Sequence, residues 1–285
     1  DAMVNIYCTT KEYCYYYTPW AEPITRNRQG SGFIIDDNYI ITNAHIVADA
    51  SFIEIRSNGS TNRYEAYVKY IDHVCDLAIV EVTDQSFYLG KNTLYISDTI
   101  AMPNEEIQVY GFPIGGYGLS VSHGIISRTE MDFYFHSLSY LLVSQIDAPI
   151  NPGNSGGPVV INDEVVGIVH QSSLKGQNIG YMIPVPIIQH FLKEVREGKY
   201  KGFPKGEALI MQLMHNQSMR EYYGLTEDIE GILINYIPEN YFLYGILEPN
   251  DILLSIDSKP IDIHGYIRYD DLYSLHLPLK HSFTM

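Results

Sequence analysis

Short apolar segments separated by turn residues dominate the first two thirds of the chain. Between residues 30 and 190 these segments are rich in β-branched and aromatic residues and follow one another at short intervals; examples are SFIEIRS, CDLAIVEV, EIQVYGFP and EVVGIVHQ. Such spacing is typical of short antiparallel strands, whereas a parallel sheet would need long helices between its strands. We therefore predict a mainly β protein whose first part is an all-β barrel or sandwich.

One segment has helical periodicity instead. Between Pro186 and Gly198 the apolar residues recur every three or four positions and share one face; they are Ile187, Ile188, Phe191, Leu192 and Val195. Proline suits the first turn of a helix and glycine commonly ends one, so a helix is expected here. Glycine, proline and lysine then dominate residues 201–207, which we interpret as a linker between one domain at 1–200 and another at 208–285.

Composition limits the classes of partner. The chain has 285 residues, 18 Lys and Arg against 34 Asp and Glu, and a formal net charge of −16. Binding to the phosphates of nucleic acid needs clustered basic residues, so we expect no nucleic-acid partner. No apolar run is long enough for a membrane span, and the first residues lack the pattern of a signal peptide, so a mature or trimmed chain is expected.

Three cysteines are too few for a disulfide framework. Cys8 and Cys14 can be paired with each other, but buried, unreactive thiols are the more common use of so few cysteines. Both interpretations stay open at this point. No pair of Cys or His residues has the spacing of metal ligands, so neither a metal ion nor another cofactor is expected.

The segment INPGNSGGPVV, residues 150–160, surrounds one serine with glycines and prolines and then continues as an apolar strand. Proline fixes φ and glycine permits positive φ, so this composition favours one bent loop that presents Ser155. Serine becomes a nucleophile when a base takes its proton and a third group orients that base. His45, at the end of an apolar strand, and Asp76, directly before another, provide such a base and acid.

Each of these residues alone is a weak indication, because histidines, aspartates at strand ends and serines in glycine-rich loops usually have structural roles. Together, in the order His45, Asp76, Ser155, they match a catalytic triad. Gly153 and Asn154 lead into Ser155 so that successive backbone N–H groups can converge on one point, which is how an oxyanion hole is built. The sequence therefore predicts nucleophilic catalysis.

The motifs around these residues, TNAHIV, CDLAIV and GNSGGP, resemble the catalytic motifs of the HtrA/Deg serine proteases, a branch of the chymotrypsin-fold peptidases. GSGFII, GFPIGG and NIGYMIPVPII extend the similarity across residues 1–200, and the pattern is closest to the Deg proteases of plant organelles. The resemblance implies a chymotrypsin-like double β-barrel. The implied roles are general base for His45, orienting acid for Asp76, nucleophile for Ser155, and oxyanion hole for Gly153, Asn154 and Ser155.

The same resemblance implies a function: an ATP-independent endopeptidase that degrades unfolded or damaged proteins, in an organelle or another extra-cytosolic compartment. By position in that fold, the primary substrate pocket is expected at Ile150, His170, Gln171 and Ser172. None of these residues is acidic, and Ile150 favours a small or medium aliphatic side chain of the substrate. His170 has two interpretations: it lines the pocket, or it faces the core with its N–H groups satisfied.

Residues 208–285 resemble a PDZ domain. In such domains a loop captures the C-terminal carboxylate of a peptide through backbone N–H groups. The segment that matches this loop consists of Tyr222, Tyr223, Gly224 and Leu225. The alternative is an aromatic plug packed on the first domain. The chain stops at Met285, where a PDZ fold still needs a final strand. Two interpretations stay open: the tail was removed, or the domain is incomplete.

Aromatic residues crowd the first twenty positions: Tyr7, Tyr13, Tyr15, Tyr16, Tyr17 and Trp20. An exposed patch of this kind commonly marks an interface, and the resemblance implies a homotrimer assembled through this segment, with larger assemblies built from trimers. The alternative is a strand that covers the barrel of its own subunit. Two other function classes stay open: a chaperone or scaffold of the same fold with an inactive site, and a PDZ-type adaptor.

Overall fold

The computed structural model of the chain comprises two compact units: residues 1–128 with 143–203, and residues 129–142 with 204–285. The described residues are 1–13, 16, 18, 20–115, 118–170, 179–198, 200, 202, 209–226, 229–239, 241, 243–268 and, for the backbone alone, 171–172 and 274–276. The boundaries 1–200, 201–207 and 208–285 stay predictions, and they do not anticipate that residues 129–142 group with the second unit. Among the helices so described, none is both long and apolar enough to cross a membrane.

Six antiparallel strands of the first unit form a closed barrel in the order β1-β2-β3-β6-β5-β4. Their bounds are Met3–Glu12 (β1), Ile24–Ile35 (β2), Tyr39–Thr42 (β3), Ala50–Ser57 (β4), Tyr64–Asp72 (β5) and Leu77–Val82 (β6). A one-turn helix, α1 (Ala44–Val47), follows β3, and short 3₁₀ turns lie at Asp36–Asn38 and Gln85–Tyr88. Alternate side chains point inward from each strand and fill the core with aliphatic residues such as Val4, Ile6, Ile53, Ile55 and Val80.

The N-terminal segment begins as an integral strand of this barrel, because β1 pairs with both β2 and β4. For residues 3–12 this agrees with the interpretation that the segment covers the barrel of its own subunit. Beyond β1 the rings of Tyr13, Tyr16 and Trp20 are exposed. Tyr15 and Tyr17 lie outside the described residues, and the predicted trimer stays a prediction.

A seven-stranded sheet in the order β11-β8-β9-β10-β13-β12-β7 lies mainly in the first unit, and the parts of β9 and β10 within residues 129–142 group with the second unit. Its bounds are Tyr95–Ile96 (β7), Glu106–Gly111 (β8), Ser120–Tyr134 (β9), Ser139–Ile146 (β10), Pro158–Ile161 (β11), Glu164–Ser172 (β12) and Gly180–Pro184 (β13). Because β11 also pairs with β12, six of these strands close on themselves and β7 is added along β12. Their inward residues form a second core with Val109, Ile126, Ile146, Val159 and Met182. The predicted double β-barrel is thereby confirmed.

Helix α2 (Val185–Arg196) follows the last strand of this sheet and confirms the helix prediction. Pro186 lies in its first turn, and the predicted apolar face is buried: Ile187, Ile188, Phe191, Leu192 and Val195. Gly198 follows with φ of +62°, the left-handed conformation that commonly ends a helix. Local sequence therefore determined both ends of this element.

Two of the three cysteines are free, buried thiols. Cys8 lies on β1 and Cys75 lies in the turn before β6. Burial raises the pKa of the Cys8 thiol to about 11 despite the nearby charge of Arg28, and burial raises that of Cys75 well above its ordinary value. Both thiols therefore stay protonated and unreactive at neutral pH. Cys14 lies outside the described residues.

The second unit contains a three-stranded antiparallel sheet in the order β14-β15-β16, a short helix and two small ribbons. The bounds are Ile210–Leu213 (β14), Gln217–Tyr222 (α3), Ile232–Tyr236 (β15), Ile252–Leu253 (β16), Ser255–Ile256 (β17), Lys259–Pro260 (β18), Tyr266–Arg268 (β19) and Ser274–His276 (β20). Its core is aliphatic, with Met211, Ile232, Ile234, Ile237, Ile261 and Ile267. The likeness of this unit to a PDZ domain stays a prediction.

Candidate active site

The three residues of the predicted triad lie on three different connections of the first unit. His45 lies on the one-turn helix α1, directly after β3. Asp76 lies in the turn between β5 and β6 with φ of +54°, a conformation that non-glycine residues adopt infrequently. Ser155 lies in the loop between β10 and β11. Strand ends of both barrels therefore contribute to the site.

The carboxylate of Asp76 is fully buried and accepts three hydrogen bonds. Its Oδ1 accepts the backbone N–H of His45 at 2.8 Å, and its Oδ2 accepts Nδ1–H of His45 at 2.7 Å and Nδ1–H of His170 at 2.8 Å. The main-chain carbonyl of Asp76 accepts two more bonds, from the N–H of Ala44 and the side chain of Asn43. An unpaired buried charge is costly, and these donors offset that cost.

The same surroundings determine the charge of Asp76. Burial by itself raises the pKa of this carboxyl group, but the charge of His45 and the hydrogen bonds from His170 and His45 outweigh it and lower the pKa well below its ordinary value. Asp76 is therefore ionised at neutral pH. Because a carboxylate only accepts hydrogen bonds, the proton of each imidazole lies on Nδ1.

The loop that presents Ser155 depends on two glycines with positive φ, +100° at Gly153 and +81° at Gly156. A Cβ on Gly153 would collide with the carbonyl oxygen of Phe112, and a Cβ on Gly156 would collide with that of Ser31. Backbone geometry and available space thus both require glycine here. The bent loop predicted from composition is present in the structure.

Ser31, which sequence reasoning did not single out, holds this loop to the first barrel. Its N–H donates to the carbonyl of Ser155 at 2.8 Å, and its Oγ donates to the carbonyl of Gly153 at 2.7 Å. The same Oγ accepts the N–H of Phe112 at 2.8 Å. The only local signal was its position between two glycines in the segment GSGFII. Its partners come from distant parts of the chain.

His170 contacts two of the three predicted catalytic residues. Its ring binds Asp76, and its main-chain carbonyl accepts the hydroxyl of Ser155 at 3.4 Å. The side chain of His170 is 2% exposed, so it corresponds to the second interpretation, a core residue with a satisfied N–H, and not to a pocket wall. Its ring lies 6.3 Å from that of His45, measured between centroids.

Among the described residues, one group has closely spaced atoms of the types that bind metal ions; it consists of His45, Asp76 and His170. Zinc holds nitrogen and oxygen ligands at about 2.0–2.1 Å, which in a tetrahedral site separates two ligand atoms by about 3.3 Å. The 2.7 and 2.8 Å contacts to Asp76 Oδ2 are shorter than this separation. The geometry is that of two imidazoles hydrogen-bonded to a carboxylate. That the protein uses no metal ion stays a prediction.

Ile150, the predicted wall of the substrate pocket, packs against the core of the second barrel and against the backbone of Gly180 on β13. A methyl group at Gly180 would collide with the end of the Ile150 side chain. The absence of a side chain at Gly180 therefore provides the space that the Ile150 side chain occupies. The sequence did not predict this contact. On β12, Gln171 pairs with Tyr181 of β13 and Ser172 pairs with Gly180. The side chains of Gln171 and Ser172 lie outside the described part of the chain.

The segment predicted to capture a carboxylate lies at the end of α3 in the second unit. The N–H groups of Tyr223, Gly224 and Leu225 donate to the carbonyls of Met219, Glu221 and Arg220, respectively. These bonds cap the helix, and they would have to break before the same N–H groups could bind a carboxylate. Tyr222 is exposed. Peptide capture by this segment stays a prediction.

Comparisons with known proteins agree with this geometry. A family model described as a trypsin-like peptidase domain matches residues 30–168. The chain is 40% identical to protease Do-like 4, mitochondrial, of Arabidopsis thaliana over 84% of this chain and 46% of that protein. It is 33% identical to the Do-like 15 protein of the same plant over 60% of this chain and 75% of that protein.

Among solved structures, the HtrA-type protease AlgW with a decapeptide has a TM-score of 0.68 at 23% identity, covering 91% of this chain and 83% of that one. At this identity the likeness concerns the fold alone. The chain spans about half the length of curated relatives such as the Do-like 3 and Do-like 4 proteases.

Proposed function

This chain belongs to the HtrA/Deg family of serine proteases, and we propose that it is an ATP-independent serine endopeptidase that degrades unfolded or damaged proteins. The observation that carries the proposal is the hydrogen bond of 2.7 Å between His45 and the buried, ionised Asp76. The glycine-constrained loop of Ser155 is joined to this pair through His170. A base held by an orienting acid is the part of a catalytic triad that activates a serine nucleophile.

In the proposed reaction Ser155 Oγ attacks the carbonyl carbon of the scissile peptide bond, and His45 takes the hydroxyl proton. The protonated His45 then gives this proton to the departing amine, which leaves an acyl group on Ser155. Water hydrolyses the acyl-enzyme with His45 again as the base. Asp76 supports these steps because it keeps the proton of His45 on Nδ1 and so leaves Nε2 as the basic nitrogen.

For the developing oxyanion we propose the N–H groups of Gly153 and Ser155 as donors, with Asn154 as the residue that spaces them. Within the loop, the N–H groups of Asn154, Gly156 and Gly157 already donate to backbone carbonyls. For Gly153 and Ser155 the described residues offer no such backbone acceptor. Two N–H groups in one loop that remain available for a substrate support this assignment.

We propose that the primary substrate pocket is lined by Ile150 and the strand segment of Gln171 and Ser172. The position of Ile150 on Gly180 supports this, since a side chain that covers the backbone of β13 limits the depth available to a substrate. No acid stands at these positions to pair with Lys or Arg. The pocket therefore suits small or medium aliphatic side chains.

Family membership also leads us to propose a homotrimer, a PDZ-like role of the second unit in binding peptide termini, and an organelle compartment. The exposed rings of Tyr13, Tyr16 and Trp20 support the proposed trimer contact. Several relatives are named mitochondrial or chloroplastic, which supports the compartment. These relatives are about twice as long as this chain.

A fluorophosphonate probe and a casein digest without ATP test the proposed activity. We expect the probe to label Ser155, as located by mass spectrometry, and casein to be cleaved. Ser155→Ala should abolish both while leaving the fold intact, and Ser122→Ala, a serine on β9, should change neither. A folded wild-type protein that is not labelled, yet suppresses aggregation of a denatured protein, would instead support the chaperone class.

A further inference from the structure

His170 places a second imidazole on the carboxylate of the proposed triad. Its Nδ1–H binds Oδ2 of Asp76 at 2.8 Å, and the same oxygen binds Nδ1–H of His45 at 2.7 Å. We propose that His170 is a positioning residue for catalysis: it fixes the orientation of Asp76 and thereby that of His45. This inference rests on the proposed serine-protease function.

A carboxylate with a single donor on one oxygen can rotate about its Cβ–Cγ bond. In Asp76 this rotation is opposed at both oxygens, because Oδ1 binds the N–H of His45 and Oδ2 binds two imidazoles. Only His170 among these donors comes from the second barrel. Removing it would leave the carboxylate of Asp76 bonded to one residue, His45, which is the residue that this carboxylate has to orient.

The backbone around His170 explains why its ring points at Asp76. In the pairing of β12 with β13, Val169 lies opposite Met182 and Gln171 lies opposite Tyr181, so His170 is the extra residue of a β-bulge. A bulge changes the direction of a side chain at a sheet position that would otherwise continue the alternation. His170 is thus directed by the sheet itself.

The same strand is bonded directly to the nucleophile loop. The carbonyl of Val169 accepts the N–H of Gly156, and the N–H of Val169 donates to the carbonyl of Gly157, both at 2.9 Å. The carbonyl of His170 then accepts the hydroxyl of Ser155 at 3.4 Å. One short stretch of β12 therefore sets the position of the nucleophile through its backbone and of the acid through a side chain.

The buried position of His170 separates this role from substrate binding. Because its side chain is 2% exposed and its ring faces Asp76, the ring has no surface for a substrate. Loss of its donor should therefore lower kcat and leave KM nearly unchanged. A misplacement of catalytic groups by about 1 Å can cost about 100-fold in rate.

Two substitutions at this position separate the donor from the shape of the ring. His170→Phe keeps a ring and removes the N–H, whereas His170→Asn places an amide N–H close to the position of Nδ1. We expect kcat of His170→Phe to fall about 10- to 100-fold with KM within about twofold of wild type, and His170→Asn to recover most of the loss. His123→Phe, the same change at an exposed histidine on β9, should leave both parameters unchanged.

A double-mutant cycle tests whether His170 acts through Asp76. In an Asp76→Ala background, His170→Phe should have almost no further effect on kcat, because the group that it positions is gone. Circular dichroism and Tm measurements on every variant identify loss of fold. If His170→Phe does not fold, His170→Ala takes its place in the comparison with His170→Asn.

Three outcomes would overturn the inference: a His170→Phe enzyme with wild-type kcat, equal losses in the Phe and Asn variants, or additive effects with Asp76→Ala. The fluorophosphonate reaction of the wild type is measured in parallel. If the wild type is not labelled, the proposed function fails. If the wild type is labelled and one of these outcomes occurs, the inference about His170 alone fails.

Discussion

Asp76 is a buried acid whose neighbours reverse the effect of its burial. Removal from water favours the neutral carboxyl group, and the donors from His45 and His170 favour the carboxylate more strongly, so the pKa is lowered. The same donors fix the tautomer of His45, since only an Nδ1–H can bind the carboxylate. The charge of Asp76 and the tautomer of His45 thus have one cause, the hydrogen bonds to the Asp76 carboxylate. Substitutions at Asp76 test both.

The first prediction concerns acid stability. The pKa of Asp76 is lower in the folded than in the unfolded chain, where an aspartate carboxyl group has a pKa of about 4. Ionised Asp76 therefore stabilises the fold above that pH, and this stabilisation is lost as the pH falls through the folded value. The free energy of unfolding, from urea titrations between about pH 5 and pH 2, should fall more steeply in wild type than in Asp76→Asn.

Asp163→Asn, at an exposed aspartate in the turn after β11, is the control and should follow the wild-type slope. Parallel pH dependences of wild type and Asp76→Asn would contradict the lowered pKa.

The Asp76→Asn variant should also lose activity. Its kcat should fall by about 10⁴, because the amide of asparagine can donate toward Nδ1 and stabilise the wrong tautomer of His45.

The second prediction concerns specificity. A buried Lys or Arg side chain of a substrate would meet no countercharge beside Ile150, whereas an aliphatic side chain gains roughly 1 to 3 kcal/mol from burial. Digests of an unfolded protein should show cuts mainly after Val, Ala, Leu, Ile or Thr. Ile150→Ala should shift kcat/KM about 10-fold toward larger aliphatic residues, and Ile24→Ala, at an exposed isoleucine on β2, should not. Cleavage mainly after basic residues would refute the pocket assignment.

Among the structural elements, the loop of Ser155 shows how backbone conformation and space act together. Gly156 has positive φ, and the space that a Cβ would need is occupied by Ser31 and Thr42. Gly59, in the turn between β4 and β5, also has positive φ, of +72°, but nothing lies within 4 Å of its Cβ position. Both glycines thus adopt the left-handed conformation, but only Gly156 is closely packed.

The third prediction uses this pair. Gly59→Ala should cost about 1 to 2 kcal/mol of unfolding free energy, because only the left-handed conformation is penalised. Gly156→Ala should cost clearly more and should also abolish labelling of Ser155, since the loop has to move away from Ser31. Chemical denaturation with parallel probe labelling measures both effects. Equal losses of stability in the two variants would show that the collision at Gly156 is relieved without cost.

Elements whose shape depends on nearby residues were predictable from the sequence. Helix α2 follows from its periodicity and Pro186, and the loop of Ser155 follows from its glycines and prolines. The orientation of His170 was not predictable, because it depends on the register between β12 and β13, and its partner Asp76 lies 94 positions away. The role of Ser31 was hidden for the same reason.

On the scale of the whole molecule, each unit has an apolar core of its own, and the first also leaves large aromatic rings in solvent. Trp20, the only tryptophan of the chain, is 98% exposed, and Tyr16 is 95% exposed. Apolar rings of this kind favour association, whereas the net charge of −16 on every copy opposes it. The balance between these two effects depends on salt.

The last prediction follows from this balance and concerns the proposed trimer. Salt screens the repulsion between copies over about 10 Å at 0.1 M, so sedimentation should show a larger trimer fraction at moderate than at low ionic strength. The emission of Trp20 should shift to shorter wavelength with rising protein concentration, because a neighbouring copy removes its ring from water. Trp20→Ala should weaken the trimer, and Tyr222→Ala, at an exposed ring of the second unit, should not. A monomer at every concentration and salt, with unchanged emission, would show that these rings form no subunit contact.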